Sequence, residues 1–135
     1  GISEITPLLC SRSERKVLKN ERMEKIILAA AKQSKSFHVP VLNEMISFSS
    51  FVKKVESKQK FVAHCEEDSE KKTLHNHNLL NTESTVILIG PEGDFTAKEI
   101  EEAKSHNFEE LSLGESRLRT ETAAMVACAY YNLIQ

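Results

Sequence analysis

Four aliphatic residues in a row, Val86-Ile87-Leu88-Ile89, run into Gly90-Pro91-Glu92-Gly93 and then into Thr96-Ala97-Lys98-Glu99. A strand with apolar side chains on both of its faces needs cover on both, the condition met in a parallel sheet. The glycines and the proline end it. Thr96 followed three residues later by Glu99 is a capping box, which predicts a helix through about His106, with Asn107 as its C-cap. Strand, tight turn and helix in this order restrict the chain to the α/β class.

The rest of the sequence agrees with that class. Met23, Ile26, Ile27, Ala30 and Ala31 recur at helical spacing, predicting an amphipathic helix near residues 20–34. Before it, Ile5 to Leu9 reads as a short strand, with Pro7 best placed at an edge or strand start. Pro40 favours an extended segment from Val39 to Leu42, and Ser50 to Val55 reads as a short helix. Phe61 to Cys65 is a further strand, residues 66–84 read as a polar loop, and Leu111 to Gly114 as a strand and turn. An alanine-rich helix from Thr122 to Leu133 closes the chain. The expected architecture is a parallel sheet with helices on both faces.

Composition removes several function classes. At 135 residues the chain is one domain by length. Its longest apolar run is far short of the ~20 residues that span a bilayer, so no membrane role is expected. Cys10, Cys65 and Cys128 are odd in number and form no CxxC pair, which argues against a disulfide framework or a zinc site. They read as core thiols in a reducing cytoplasm. His75-x-His77 has no acidic or cysteine partner at useful spacing, so no metal is expected. The net charge of −2 conceals an excess of six cationic side chains in residues 1–60 and of eight anionic ones in 61–135. A basic half fits an anionic partner such as RNA, and equally fits a solvated helix face.

Parallel sheets bind ligands beyond the carboxyl ends of their strands. Two glycine turns fall there, Ile89-Gly90-Pro91-Glu92-Gly93 and Leu113-Gly114-Glu115, and glycine lets a backbone approach a ligand closely. Neither is a P-loop, and no GxGxxG is present. Arg117-Leu118-Arg119-Thr120-Glu121-Thr122 gathers two guanidiniums, a carboxylate and two hydroxyls before the last helix. That cluster reads either as a helix cap at Thr120 or Thr122 with a flanking ion pair, or as a site for an anion or a base edge.

Ile89-Gly90-Pro91-Glu92-Gly93, Ser112-Leu113-Gly114 and Leu118-Arg119-Thr120-Glu121-Thr122-Ala123, in this order, closely resemble the signature series of the ribosomal small-subunit RNA uridine-N3 methyltransferases. These are S-adenosylmethionine enzymes of the SPOUT class. Ile5-Thr6-Pro7, Arg12-Ser13, Glu21-Arg22 and Gln33-Ser34 are similar to the same family, so the resemblance covers nearly the whole chain. It implies a C-terminal trefoil knot, a homodimer, and residues 1–135 as a SPOUT domain without its first strand and helix or its N-terminal β-barrel. It also implies a cofactor pocket at Ile89, Gly90, Pro91, Gly93, Leu113, Gly114, Leu118 and Thr120.

The chemistry implied is transfer of a methyl group to N3 of a uridine in ribosomal RNA or the small ribosomal subunit. Arg119 is expected to steady the developing anion, and Glu121 to orient Arg119 or relay the proton. Arg12, Arg15, Lys16 and Arg22 are the expected RNA contacts. Three departures stand out: Lys35-Ser36-Phe37-His38 where many members carry two arginines, Ser116 where many carry one, and Asp94 in place of a second glycine after GPEG. Two rival readings are a SPOUT enzyme for another RNA, such as transfer RNA, and a non-catalytic RNA-binding module.

Overall fold

Parallel pairing runs through the fold. The computed structural model describes residues 1–66, 70–77 and 83–133. Its central sheet is built from β5 (Gln59–Ala63), β6 (Lys72–Thr73), β7 (Thr85–Ile89) and β8 (Glu109–Ser112). They lie in the order β6-β8-β5-β7, every pair parallel. Two small parallel pairs come from the N-terminal part of the chain. β1 (Glu4–Ile5) pairs with β3 (Val41–Leu42), and β2 (Leu8–Leu9) pairs with β4 (Ile46–Ser47).

The strand expected at Ile5 to Leu9 is thus broken in two at Thr6-Pro7. Pro7 has no N–H to donate, though its carbonyl accepts from Ile46 N at 3.1 Å. Two residues separate β1 from β2 whereas three separate β3 from β4, so the register slips by one across the break. Asn43 fills the gap: its Nδ2 donates to Thr6 Oγ1 at 2.8 Å and to Glu4 Oε2 at 3.0 Å.

Four α-helices are found among the described residues: α1 (Asn20–Gln33), α2 (Phe48–Lys54), α3 (Ala97–Ser105) and α4 (Thr120–Leu133). In α1 the inward stripe is Met23, Ile27 and Ala31, four residues apart, while Ile26 and Ala30 of the expected set are exposed and outside it. The start of α2 lies two residues before the expected Ser50, because Ser47 caps it by accepting from Ser50 N. Half of the predicted capping box opens α3: Thr96 Oγ1 accepts from Glu99 N at 3.2 Å, without the return bond from the Glu99 carboxylate to Thr96 N. Glu99 itself turns to Thr96 Oγ1 and to Ser11 N, anchoring the N-terminal segment. The helix ends in a Schellman motif, with Asn107 left-handed (φ 65°) one residue past the cap and Phe108 N bonded to Ala103 O.

Strand alternation divides the core. Val62 and Leu88 share one face of the sheet and pack with Phe48, Val52, Phe95, Ile100 and Phe108 from α2, α3 and their flanks. Phe61, Ala63 and Leu111 point to the other face, with Ile87, Ile89 and Leu113 against them. α4 lies against β7 and the 3-10 turn Leu74–Asn76. β7 sits at the end of the strand order, which corrects the expectation of full cover: only Leu88 is buried, and its neighbours are partly open. The polar stretch 66–84 is also not all loop. It contributes β6 and the 3-10 turn, while its residues 67–69 and 78–82 lie outside the described residues.

Candidate functional site

β7 and β8 flank β5 on opposite sides, so the connections leaving these strands diverge and open a crevice at their carboxyl ends. A cleft of about 870 Å³ lies there. That is within the usual size of a small-molecule site. Its wall begins at Ala63, His64 and Cys65 at the end of β5, continues through Ile89, Gly90 and Pro91 at the end of β7, and through Leu113 and Gly114 after β8. Leu118, Arg119, Thr120 and Glu121 at the start of α4 close it.

The turn after β7 is held from three directions. Asp94 is left-handed at φ 64°, a conformation that Asp accepts better than most side chains. Its Oδ2 accepts from Cys65 N and its Oδ1 from Phe95 N, both at 2.8 Å, tying β7's exit to β5's exit. Arg12 Nη1 donates to Gly93 O at 2.9 Å, across 81 residues of sequence. Thr120 Oγ1 donates to Gly90 O at 3.0 Å. A Cβ on Gly90 would meet Asp94 Oδ1 at 2.8 Å and Phe95 N at 3.3 Å, so this glycine serves the closing of the turn. At Gly114 the reason is different. Space around it is open, but φ is +132°, which side-chain-bearing residues rarely adopt.

Of the expected pocket residues, Ile89, Gly90, Pro91, Leu113, Gly114, Leu118 and Thr120 all line the cleft. Gly93 faces Arg12 instead, whose Cβ and Cδ would lie 2.9 and 3.2 Å from an added Cβ. Arg119 and Glu121 line the cleft and are exposed, and no ion pair joins them among the described residues. Neither Thr120 nor Thr122 caps α4. The helix begins at Thr120, Ala123 N bonds to Arg119 O, and the Thr120 hydroxyl is committed to Gly90. Arg15, Lys16 and Arg22 are exposed, away from the cleft lining.

His64, Cys65, Lys71 and Asp94 also line the cleft; Asp94 stands out in the sequence as a departure after GPEG, whereas the other three are not among the expected pocket residues. The strand expected over Phe61 to Cys65 runs instead over Gln59–Ala63, which frees His64 and Cys65 to face the cleft. His64 is buried, its Nδ1 accepts from Glu66 N at 3.2 Å, and its Nε2 lies 3.0 Å from Glu110 Oε1. A nitrogen that accepts carries no proton, so Nε2 holds the hydrogen and donates it to the carboxylate. His77 pairs with Glu109 at 3.1 Å and meets the Phe61 ring edge-on. Among the described residues no three His, Cys, Asp or Glu side chains form a metal-binding group, and no helix is long and apolar enough to cross a membrane.

The cysteines differ from one another. Burial, and then the Glu99 carboxylate, push the Cys10 thiol up to about 12, and it packs as a core residue. Burial raises Cys128 also. Cys65 departs from the core expectation, being exposed on the cleft because β5 ends before it.

The profile of the RNA methyltransferase domain family matches residues 1–132. The chain belongs to that family. The ribosomal RNA small subunit methyltransferase E of Rickettsia conorii is 32% identical over 135 residues, covering 99% of this chain and 55% of the relative. A crystal structure described as a "probable rRNA-methyltransferase" from Porphyromonas gingivalis superposes with a TM-score of 0.91 at 35% identity, covering 100% of this chain and 57% of that one. The ribosomal RNA small subunit methyltransferase E of Neisseria gonorrhoeae, bound to S-adenosyl methionine, gives 0.81 at 26% identity, covering 95% of this chain and 54% of that one. The chain spans about half the length of the curated relatives it matches.

Proposed function

We propose that this chain is the catalytic domain of an S-adenosylmethionine-dependent methyltransferase acting on N3 of a uridine in small-subunit ribosomal RNA. The observation that carries the reading is the convergence of three turns, from β7, β8 and the start of α4, on one cleft at the strands' carboxyl ends. The lining fits an adenosine-containing ligand. Ile89, Leu113 and Leu118 offer apolar walls for a base, and the turn backbones offer hydrogen-bonding groups with no bulky side chain in the way at Gly114.

When bound, S-adenosylmethionine supplies a methyl group on a sulfonium, already a strong electrophile. The protein's share is to position the uracil and manage the N3 proton. Arg119, exposed at the cleft mouth, offers fixed guanidinium donors toward the anion that develops on the base. Glu121, two residues on and in the same lining, is the acceptor assigned to the proton or to orienting Arg119. Arg15, Lys16 and Arg22 hold phosphates in a manner indifferent to sequence.

The finer architecture is part of the same reading: a C-terminal trefoil knot, a cytoplasmic setting, and a homodimer through α4. The alanine-rich helix suggests a dimer contact around Ala123, Ala127 and Tyr130, but Ala127 is buried within the chain itself, so the dimer surface in this reading is the opposite stripe, Met125, Ala129 and Leu133, with Tyr130 beside it. Met125 is 71% exposed and Leu133 82%, an apolar row that a two-fold partner would cover. Incubating the protein with small ribosomal subunits and S-adenosylmethionine, then digesting the RNA to nucleosides, should yield 3-methyluridine by mass spectrometry. Methylation of transfer RNA only, or cofactor binding with no transfer to any RNA, would refute the reading.

A further inference from the structure

We propose that Asp94 makes the cleft selective for charge, so that it holds the cationic sulfonium cofactor in preference to the neutral thioether left after methyl transfer. The inference rests on the cofactor reading above and adds a residue that sets which form of the ligand keeps the site.

The two ligands differ by one methyl group and one positive charge. Contact with the methyl group can itself discriminate by about 10–200-fold, and a fixed opposite charge nearby adds a separate preference that acts on the charge alone. Asp94 supplies such a charge. It lines the cleft, is half-buried, and is pinned by two backbone donors at 2.8 Å, from Cys65 and Phe95. Those donors are neutral, so they fix the carboxylate in place without cancelling it. The left-handed backbone at Asp94 directs the carboxylate back across Gly90, whose open Cα face it covers at 2.8 Å from an ideal Cβ.

The other charged groups of the lining are less able to do this. Glu92, Glu115 and Glu121 are exposed, where water screens them, and so are Arg117 and Arg119. Lys71 is the other half-buried charge, its ammonium held at the neutral His64 carbonyl at 3.0 Å, so it opposes Asp94 in the wild-type cleft, and the Asp94 variants isolate the carboxylate's own share. Were the sulfonium to sit about 8–10 Å from this carboxylate, within the span of the cleft, an effective dielectric constant of about 20–40 would favour the cation by roughly four- to thirtyfold.

The test is equilibrium binding of S-adenosylmethionine and S-adenosylhomocysteine to the wild-type protein, Asp94→Asn and Asp94→Gly. Asn keeps an acceptor and tolerates the left-handed backbone, and Gly relieves that backbone altogether, so one of the two variants retains the turn if the other does not. The expected result is a fall of about fourfold or more in the ratio of the two affinities in both variants, with the affinity for the neutral ligand little changed. Sinefungin, which carries an amine in place of the sulfonium, should follow the cationic ligand. Affinities falling in parallel would mean that Asp94 only holds the turn or the ligand's amino group, and would overturn the proposal. Failure of the wild-type protein to bind either ligand would instead overturn the cofactor reading, and this inference with it.

Discussion

Gly90→Ala is the smallest change that tests how the turn is closed. The added Cβ would lie 2.8 Å from Asp94 Oδ1, 3.3 Å from Phe95 N and 3.4 Å from Asp94 Cα. The first distance is too short for any real contact, and Asp94 is not a free-swinging side chain. Its carboxylate already accepts from Phe95 N and Cys65 N, so moving it breaks at least one charge-assisted hydrogen bond. Such a bond contributes about 1.5–3 kcal/mol. With an unfolding entropy of about 2.1 cal/mol/K per residue, a domain of this length should lose roughly 5–10 °C in Tm.

The control is the same substitution in an Asp94→Gly background. There the short contact is gone. Gly90 does not require a positive φ, so alanine fits its backbone and lowers the entropy of the unfolded chain by about 0.4–1 kcal/mol. Gly90→Ala should then be neutral or slightly stabilising. Thermal or urea melts of the four proteins give the coupling energy directly, expected at about 1.5 kcal/mol or more. Equal losses in both backgrounds would refute the reasoning and place the strain on the backbone at Phe95.

Arg12→Ala should weaken cofactor binding about fivefold, the worth of one hydrogen bond to the turn, and leave the salt slope of RNA binding unchanged, because its guanidinium is engaged with Gly93. Arg119→Ala should lower single-turnover methylation by ~10²-fold at saturating RNA and cofactor, whereas Arg15→Ala with Lys16→Ala should weaken RNA binding and flatten its salt dependence. Cys10 titrates at about 12 in the fold against 9.0 for a free thiol, so its protonated form is favoured by folding. Its contribution is complete below pH 9 and lost as the pH rises toward 12, and the stability gap between wild type and Cys10→Ala, followed by urea melts, should narrow over that window. Met125→Glu should convert a dimer to a monomer in sedimentation experiments while leaving Tm within a few degrees, since the side chain touches solvent rather than the core.

Local physics made much of the fold legible. The aliphatic run and the capping box located β7 and α3, because strand cover and helix capping are decided by residues within a few positions of each other. The helical spacing located α1 but placed Ile26 on the wrong side of the buried stripe, since periodicity alone does not say which of two adjacent rows meets the sheet. β6 was not legible. Two polar residues, Lys72 and Thr73, become a strand only because the edge of β8 is there to pair with them. The site divides in the same way. The glycine turns could be read from their own residues, whereas the uses of Asp94, Arg12 and Thr120 depend on partners tens of residues away.

Those three ties explain why the cleft belongs to the whole chain and not to any motif in it. Arg12 lies 81 residues from Gly93, Thr120 lies 30 from Gly90, and Asp94 lies 29 from Cys65. Each enters the turn from a different element: the segment after β2, the start of α4, and the turn itself reaching back to β5. A turn fixed by only one of them could rotate about that contact, and two would leave a hinge between them. Three ties at Gly90, Gly93 and Asp94 fix its position and its orientation before a ligand arrives, and a preformed site avoids the ordering cost that a mobile one incurs on binding. The arrangement also makes the turn the common neighbour of the basic N-terminal segment, through Arg12, and of Arg119, through the adjacent Thr120. Groups assigned to RNA and to the cofactor are thus mechanically joined at residues 90–94, where the methyl donor and its acceptor must be brought into line.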